Sequence, residues 1–175
     1  MDKPVVSIVM GSDSDMDLMR ESAAVLAKFG VAHELRVISA HRSPGLLTRY
    51  VKEGERSGVR VFIAGAGAAA ALPGAVAALS TRPVLGVPLP SSHLQGLDSL
   101  LAIAQMPGGT PAAAMAIGAA GARNAAIMAV QILALGNRKL ATALKVFKKD
   151  QERQVAAKDI LARRGGNGKT TRRGK

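Results

Sequence analysis

Val5-Val6-Ser7-Ile8-Val9-Met10-Gly11-Ser12-Asp13-Ser14-Asp15 is the stretch on which the fold turns. Its first six residues form a short apolar run, as expected of a strand buried in a parallel sheet. Gly11 breaks the run. The serines and aspartates that follow are good helix N-caps, and residues 16–29 carry apolar side chains at helical spacing: Met16, Met19, Ala23, Leu26 and Ala27. Gly30 then suits a helix C-cap. Strand, polar turn and helix in that order make the first half of a βα unit.

The same alternation continues along the chain. A strand is expected over 31–38, a loop Ser39-Ala40-His41-Arg42-Ser43-Pro44, and a helix over 45–56. A strand over 59–64 leads into Gly65-Ala66-Gly67, read as a tight turn, and a helix over 72–79 entered through Pro73. A strand over 83–87, a loop over 88–96, a short helix over 97–104, a breaker-rich loop over 106–111, an alanine-rich strand over 112–117 and a helix over 124–135 complete the core. Strands alternating with helices predict an α/β fold, a parallel sheet with helices on both faces. In such sheets ligands bind beyond the carboxyl ends of the strands. The loops 11–15, 39–44, 65–67 and 88–96 all fall there, and the Pro/Gly-rich loops 88–96 and 106–111 are expected to close over a site and exclude water.

Residues 1–135 are read as the α/β domain. The segment 124–135 is apolar almost all round and needs burial on every side, which points to a subunit interface. After Gly136, Asn137 caps an amphipathic helical extension over 136–164, with Leu140, Leu144, Phe147, Val155 and Leu161 at rough helical spacing. Residues 165–175 read as a disordered basic tail.

The net charge of +12 suggests nucleic acid until it is located. Thirteen Lys/Arg against three Asp/Glu lie in residues 136–175, whereas residues 1–135 are nearly balanced, so the basicity belongs to the extension. Aromatic residues are 2% of the chain, too few for base-stacking platforms; nucleic acid is therefore not the expected partner. The absence of cysteine excludes disulfides and thiolate metal sites. Three scattered histidines, His33, His41 and His93, suggest no metal cluster. The uncharged stretches are Ala/Gly-rich and broken by prolines, so no membrane span is expected. No secretory signal is read at the start of the chain.

Two loops carry chemistry. In residues 11–15 a helix N-terminus and serine hydroxyls offer donors to a phosphate, and Asp15 offers an acceptor to sugar hydroxyls; capping accounts for one such residue but not four in a row. In residues 39–44, His41 can move protons near neutral pH and Arg42 can grip an anion with its planar fork. Gly65-x-Gly67-x-x-Ala70 looks like a dinucleotide fingerprint, but no Asp or Glu occurs between Glu55 and Asp98 to hold a ribose, and no P-loop is present. Ser91, Ser92, His93 and Asp98 suggest a hydrolase triad, yet the nucleophile elbow is missing. His93 is read as a loop residue and His33 as an exposed strand residue.

The motifs GSDSD (11–15), SAHRSP (39–44), GAG…LPG (65–74), PVLGVP (83–88), GLDSLL (96–101), QMPGG (105–109) and AIG…NAA (116–126) occur in order. Together they resemble the PurE family, the 5-(carboxyamino)imidazole ribonucleotide mutases of purine biosynthesis. The resemblance spans roughly residues 4–135 and is closer to the mutases than to the sister class that carboxylates with free CO2. It implies a flavodoxin-like three-layer α/β/α sandwich assembled as a homo-octamer in the cytoplasm. It implies an isomerase that moves CO2 from an exocyclic nitrogen to a ring carbon with neither metal nor organic cofactor. By matching motif positions, Ser12, Asp15 and Arg42 bind the ribose phosphate, His41 is the general acid/base, and Ser14, Ser39, Ala66 and Gly67 line the site.

The chain departs from the family pattern GAGGAAHLPG at two places: Ala68 stands for a glycine and Ala71 for a second histidine. The carboxylase reaction, and a non-catalytic nucleotide-binding derivative of the fold, are the other readings kept. A phosphorelay receiver lacks its acceptor Asp here, and a flavodoxin lacks its aromatic walls.

Overall fold

Five strands form one parallel sheet within residues 3–166, the part of the chain described by the computed structural model. They are β1 (Val6–Met10), β2 (His33–Val37), β3 (Val61–Gly67), β4 (Val84–Leu89) and β5 (Ala113–Ala114). Their order is β2-β1-β3-β4-β5. This is the flavodoxin-like arrangement, whose topological switch lies between β1 and β3. Helices α1 (Met16–Lys28), α2 (Pro44–Ser57), α3 (Ala71–Leu79), α4 (Leu97–Ala104) and α5 (Gly118–Ala134) make the outer layers of the expected α/β/α sandwich, and α6 (Arg138–Gly166) follows.

Successive strand residues point to opposite faces, and both faces are packed. Val9, Phe62, Ala64 and Val84 join Leu47 and Val51 of α2, Val76 of α3 and Ile103 of α4 in one buried cluster. On the other face Gly65 lies against Met19 of α1, so closely that any Cβ would collide with its thioether. Ser22 of α1 donates to the Ala122 carbonyl of α5 at 2.7 Å. Burial on both sides explains why β1, β3 and β4 read as nearly continuous apolar runs, with Ser7 of β1 the one polar residue. Tyr50 anchors α2 over β1 and β2: its hydroxyl pairs with Ser7 Oγ and donates to Glu34 Oε1 at 2.8 Å. Burial holds the Tyr50 phenol above its ordinary range.

Beyond shifts of one to three residues at strand and helix ends, three boundaries differ from the sequence reading. Gly65-Ala66-Gly67 is not a turn: it completes β3, paired with Val87, Pro88 and Leu89 of β4. Small residues are needed there for packing rather than for bending. The strand expected over 112–117 shrinks to Ala113–Ala114, because alanine has little preference for a pleated edge. The helix expected from residue 124 begins at Gly118. Gly121 is compatible with it because its bare Cα sits on the Ala116 carbonyl, where a Cβ would clash.

The chain divides into two compact units with the boundary after Leu133. In the second, Asn137 Oδ1 accepts from the backbone N–H groups of Lys139 (3.0 Å) and Leu140 (3.2 Å), the expected cap of α6. The helix runs on through Gly165 and Gly166. Apart from these two residues, the segment read as a disordered tail lies outside the described residues.

Candidate functional site

The site starts where β1 ends. Ser12 leaves the strand extended, and Asp13–Asp15 form a single 3₁₀ turn into α1. Ser12 Oγ accepts from the Ser14 hydroxyl at 3.0 Å and from the Ser14 N–H at 3.4 Å, and donates to Asp13 Oδ1 at 3.1 Å. The turn is therefore knotted by its own side chains. Asp15 is buried, only 9% exposed. Burial raises its carboxyl above the ordinary value, a Ser12 hydrogen bond opposes this, and the charge of Asp13 adds to it.

The second loop is locked in the same manner. Ser39 N–H donates to Ser43 Oγ at 3.1 Å, and Ser43 Oγ donates back to the Ser39 carbonyl at 3.0 Å. Pro44 then opens α2, where its missing N–H costs nothing. Arg42 N–H donates to Ser39 Oγ at 3.2 Å, and Arg42 Nη2 reaches the Gly11 carbonyl at 2.8 Å. The guanidinium thus bridges the loops after β2 and β1, beside exposed His41.

The third loop is of another kind. After Gly67 come Ala68 at φ 50° and Ala70 at φ 44°, both left-handed. That conformation costs a non-glycine residue about 1–2 kcal/mol. It is held by the Ala70 N–H donating to the Gly67 carbonyl at 2.9 Å and by burial of the Ala70 methyl. The fourth loop, after β4, brings Ser91 over Gly67, where a Cβ would fall on Ser91 Oγ.

These four loops enclose a cleft of about 400 Å³ at the carboxyl edge of the sheet. Every residue singled out for the site lines it: Ser12, Ser14, Asp15, Ser39, His41, Arg42, Ala66 and Gly67. Sequence reasoning did not single out Ser91, Ala69, Ala70 or Leu72 as lining; Ala68 and Ala71 stood out as departures from the family pattern, and both line the cleft. Ser91 had a signal, its place in the loop 88–96 just past β4, but as a residue it was weighed only within a rejected triad.

Of the three histidines only His41 lines the cleft. His33 Nδ1 lies 2.8 Å from the Val31 carbonyl in a half-buried position rather than an exposed one, and His93 is exposed. Ser99 is buried, donating to the Leu89 and Gly96 carbonyls, a structural role. The loop 106–111, expected near the site, does not line the cleft. Gly109 and Pro111 border instead a cavity of about 650 Å³ beside Val84 and Leu85, at the opposite end of β4. Among the described residues no group of three or more His, Asp or Glu is placed to hold a metal.

The cleft therefore has a polar wall, able to grip an anion through Arg42 and hydroxyls, to accept from sugar hydroxyls at Asp15, and to move a proton at His41. Opposite is a methyl wall, suited to a flat ring or a small apolar molecule.

The AIR carboxylase family profile matches residues 5–154. An N5-carboxyaminoimidazole ribonucleotide mutase of Saccharolobus solfataricus is 51% identical over 159 residues, which is 91% of this chain and 99% of that protein. The enzyme of the same name from Mycobacterium tuberculosis is 47% identical over 171 residues, 98% of this chain and 97% of its own. The crystal structure of Treponema denticola PurE superposes with a TM-score of 0.82 at 28% identity, covering 90% of this chain and 98% of that one.

Proposed function

Because the chain belongs to the AIR carboxylase family, we infer that it is an N5-carboxyaminoimidazole ribonucleotide mutase, an isomerase of purine biosynthesis. The observation that carries the reading is near-full-length identity of about half with mutases. It is supported by one cleft that gathers an anion grip, a sugar acceptor and a proton carrier. The family profile bears the name of a carboxylase, but the relatives that match most of this chain are named mutases, so the CO2-dependent carboxylase reading is not favoured.

The reaction breaks the bond between the exocyclic nitrogen and the carboxyl carbon and forms a bond from that carbon to the neighbouring ring carbon. Nitrogen gains a proton and the ring carbon loses one, so a single shuttle balances the step. His41 takes that role, giving a proton as CO2 leaves and removing the ring proton after capture. Arg42 and Ser12, with Ser14 and Ser39, hold the phosphate. Asp15 accepts from the ribose hydroxyls, which offset the burial that raises its carboxyl. Ala66, Gly67 and the following alanines face the ring and keep CO2 in a water-poor space beside it, where proximity favours recapture.

A homo-octamer goes with this reading, with α5 at a subunit contact. Its small residues Ala122, Ala125, Ala126 and Ala129 are buried within the subunit, while Met128 is 40% exposed, leaving one side for a neighbour. A cytoplasmic place goes with the same pathway reading; among the described residues no helix is long and apolar enough to cross a membrane.

The test is to supply the carboxyaminoimidazole ribonucleotide alone and follow the ring-carboxylated product, with aminoimidazole ribonucleotide plus bicarbonate in parallel. Conversion of the first without ATP supports the mutase. Efficient use of the second alone would replace it with the carboxylase, and binding without conversion of either would mark a non-catalytic derivative.

A further inference from the structure

The loop between β4 and α4 holds two serines, 91 and 92, and runs into a third at 99, and their hydroxyls are employed differently. Ser92 Oγ accepts from the Leu94 N–H at 3.2 Å and tightens the loop. Ser99 Oγ donates to the carbonyls of Gly96 (2.9 Å) and Leu89 (3.2 Å) and ties the loop to the end of β4. Ser91 has its backbone fixed by donation to the Leu89 carbonyl at 2.9 Å. Its own hydroxyl makes no hydrogen bond among the described residues, and it lines the cleft. The loop is thus internally braced by two hydroxyls while a third is left for whatever enters.

Its position is specific. Gly67 ends β3 with an ordinary backbone, outside the left-handed region, so conformational freedom does not explain that glycine. Space does: a Cβ there would occupy the place of Ser91 Oγ. The bare Gly67 and the overlying Ser91 form one contact at the β3/β4 end of the cleft. That end is otherwise walled by methyl groups from Ala66 and Ala68–Ala71. An anionic group arriving there meets no other polar side chain from that wall. With the phosphate held at the β1/β2 loops, the carboxylated ring is what reaches it.

We propose that Ser91 is a further substrate-contacting residue, its hydroxyl donating to an oxygen of the carboxyl group that moves between nitrogen and carbon. This rests on the mutase reading. A hydrogen bond to a charged acceptor is worth roughly ten- to a hundred-fold in binding. The experiment compares wild type, Ser91→Ala and Ser91→Thr for affinity toward the ring-carboxylated nucleotide and toward aminoimidazole ribonucleotide, which lacks the carboxyl.

Ser91→Ala is expected to weaken the carboxylated nucleotide by about ten-fold or more while shifting the other less than two-fold. Ser91→Thr, which keeps the hydroxyl, is expected to recover much of the loss. Equal losses for both nucleotides, or none for either, would overturn the proposal. If wild type binds the carboxylated nucleotide in a Ser91-dependent way yet converts nothing, the mutase reading fails and the contact stands.

Discussion

On the β1/β2 side of the cleft, side chains hold one another in place. Ser12 knots the first turn, Ser39 and Ser43 lock the second, and Arg42 bridges the two through the Gly11 carbonyl. On the β3/α3 side no side chain does such work. Five alanines at 66 and 68–71 follow one another with only Gly67 among them, and the shape comes from the backbone, with Ala68 and Ala70 forced left-handed. One wall is preorganised by hydrogen bonds and, on the proposed reading, carries the chemistry; the other is preorganised by packing against strain and carries the shape. Substitutions in the first should therefore change activity with little change in stability, and substitutions in the second should change stability, in either direction, with little change in activity.

The sharpest way to break that contrast is His41→Asn. The side chain is exposed and makes no hydrogen bond among the described residues, so the melting temperature should hold. Turnover should fall by about 10²–10⁴-fold, the usual worth of general acid–base catalysis. A variant that melts early or keeps full activity would put His41 on neither footing.

Arg42→Ala comes next. It removes both the proposed anion grip and the bridge to Gly11, and kcat/KM should drop by roughly a hundred-fold, mostly in KM. Arg42→Lys should recover little of this, because a point charge cannot reproduce the fork that spans the loops. Steady-state kinetics on both variants decides it.

From the other wall, Ala68→Gly should relieve the left-handed strain. After the extra freedom glycine gains in the unfolded chain, the net gain in stability is about 0.5–1 kcal/mol. Denaturant unfolding measures it; a loss of stability would show that the Ala68 methyl packs usefully despite its φ. The contrast sharpens if kcat changes little.

The smallest effect lies outside both walls and serves as a control. Glu55 on α2 accepts from the Ser80 hydroxyl and, at 3.0 Å, from the Thr81 N–H. Chiefly through the Ser80 bond, its carboxyl is held below the ordinary value. A folded-state pKa below the unfolded one means the contribution is present above the ordinary carboxylate range and is lost as pH falls through the depressed value. The group is largely solvated and screened, and a glutamine oxygen still accepts, so Glu55→Gln should cost no more than about 0.5 kcal/mol near neutrality and flatten the acid limb of the stability curve, with activity unchanged. An unaltered acid limb would show that the bond is exchanged for water.

The polar wall was legible in the sequence because its residues are chemically conspicuous and lie in short segments directly after apolar runs. GSDSD and SAHRSP announce caps, a proton carrier and a cation without reference to the rest of the chain. The alanine wall was not legible in this way. Alanine carries no signal of a left-handed backbone, and Gly65–Gly67 reads as a turn because glycine in a sequence means freedom more often than close packing. Only the Met19 thioether above Gly65 and Ser91 above Gly67 show that space is the reason.

The order of strands and helices, and hence the edge at which the loops gather, was decided by local pattern: apolar runs too short for helices, separated by caps and breakers, allow little but a parallel α/β sheet. Which loops meet was decided by the strand order β2-β1-β3-β4-β5, a long-range pairing that no local pattern encodes. It sets the loops after β1 and β3 side by side at the switch point and brings Ser91 over a strand end 24 residues earlier. It also leaves the loop 106–111 off the cleft. Local propensity writes the elements; burial on both faces of a twisted sheet chooses their neighbours, and the site is a property of the neighbours.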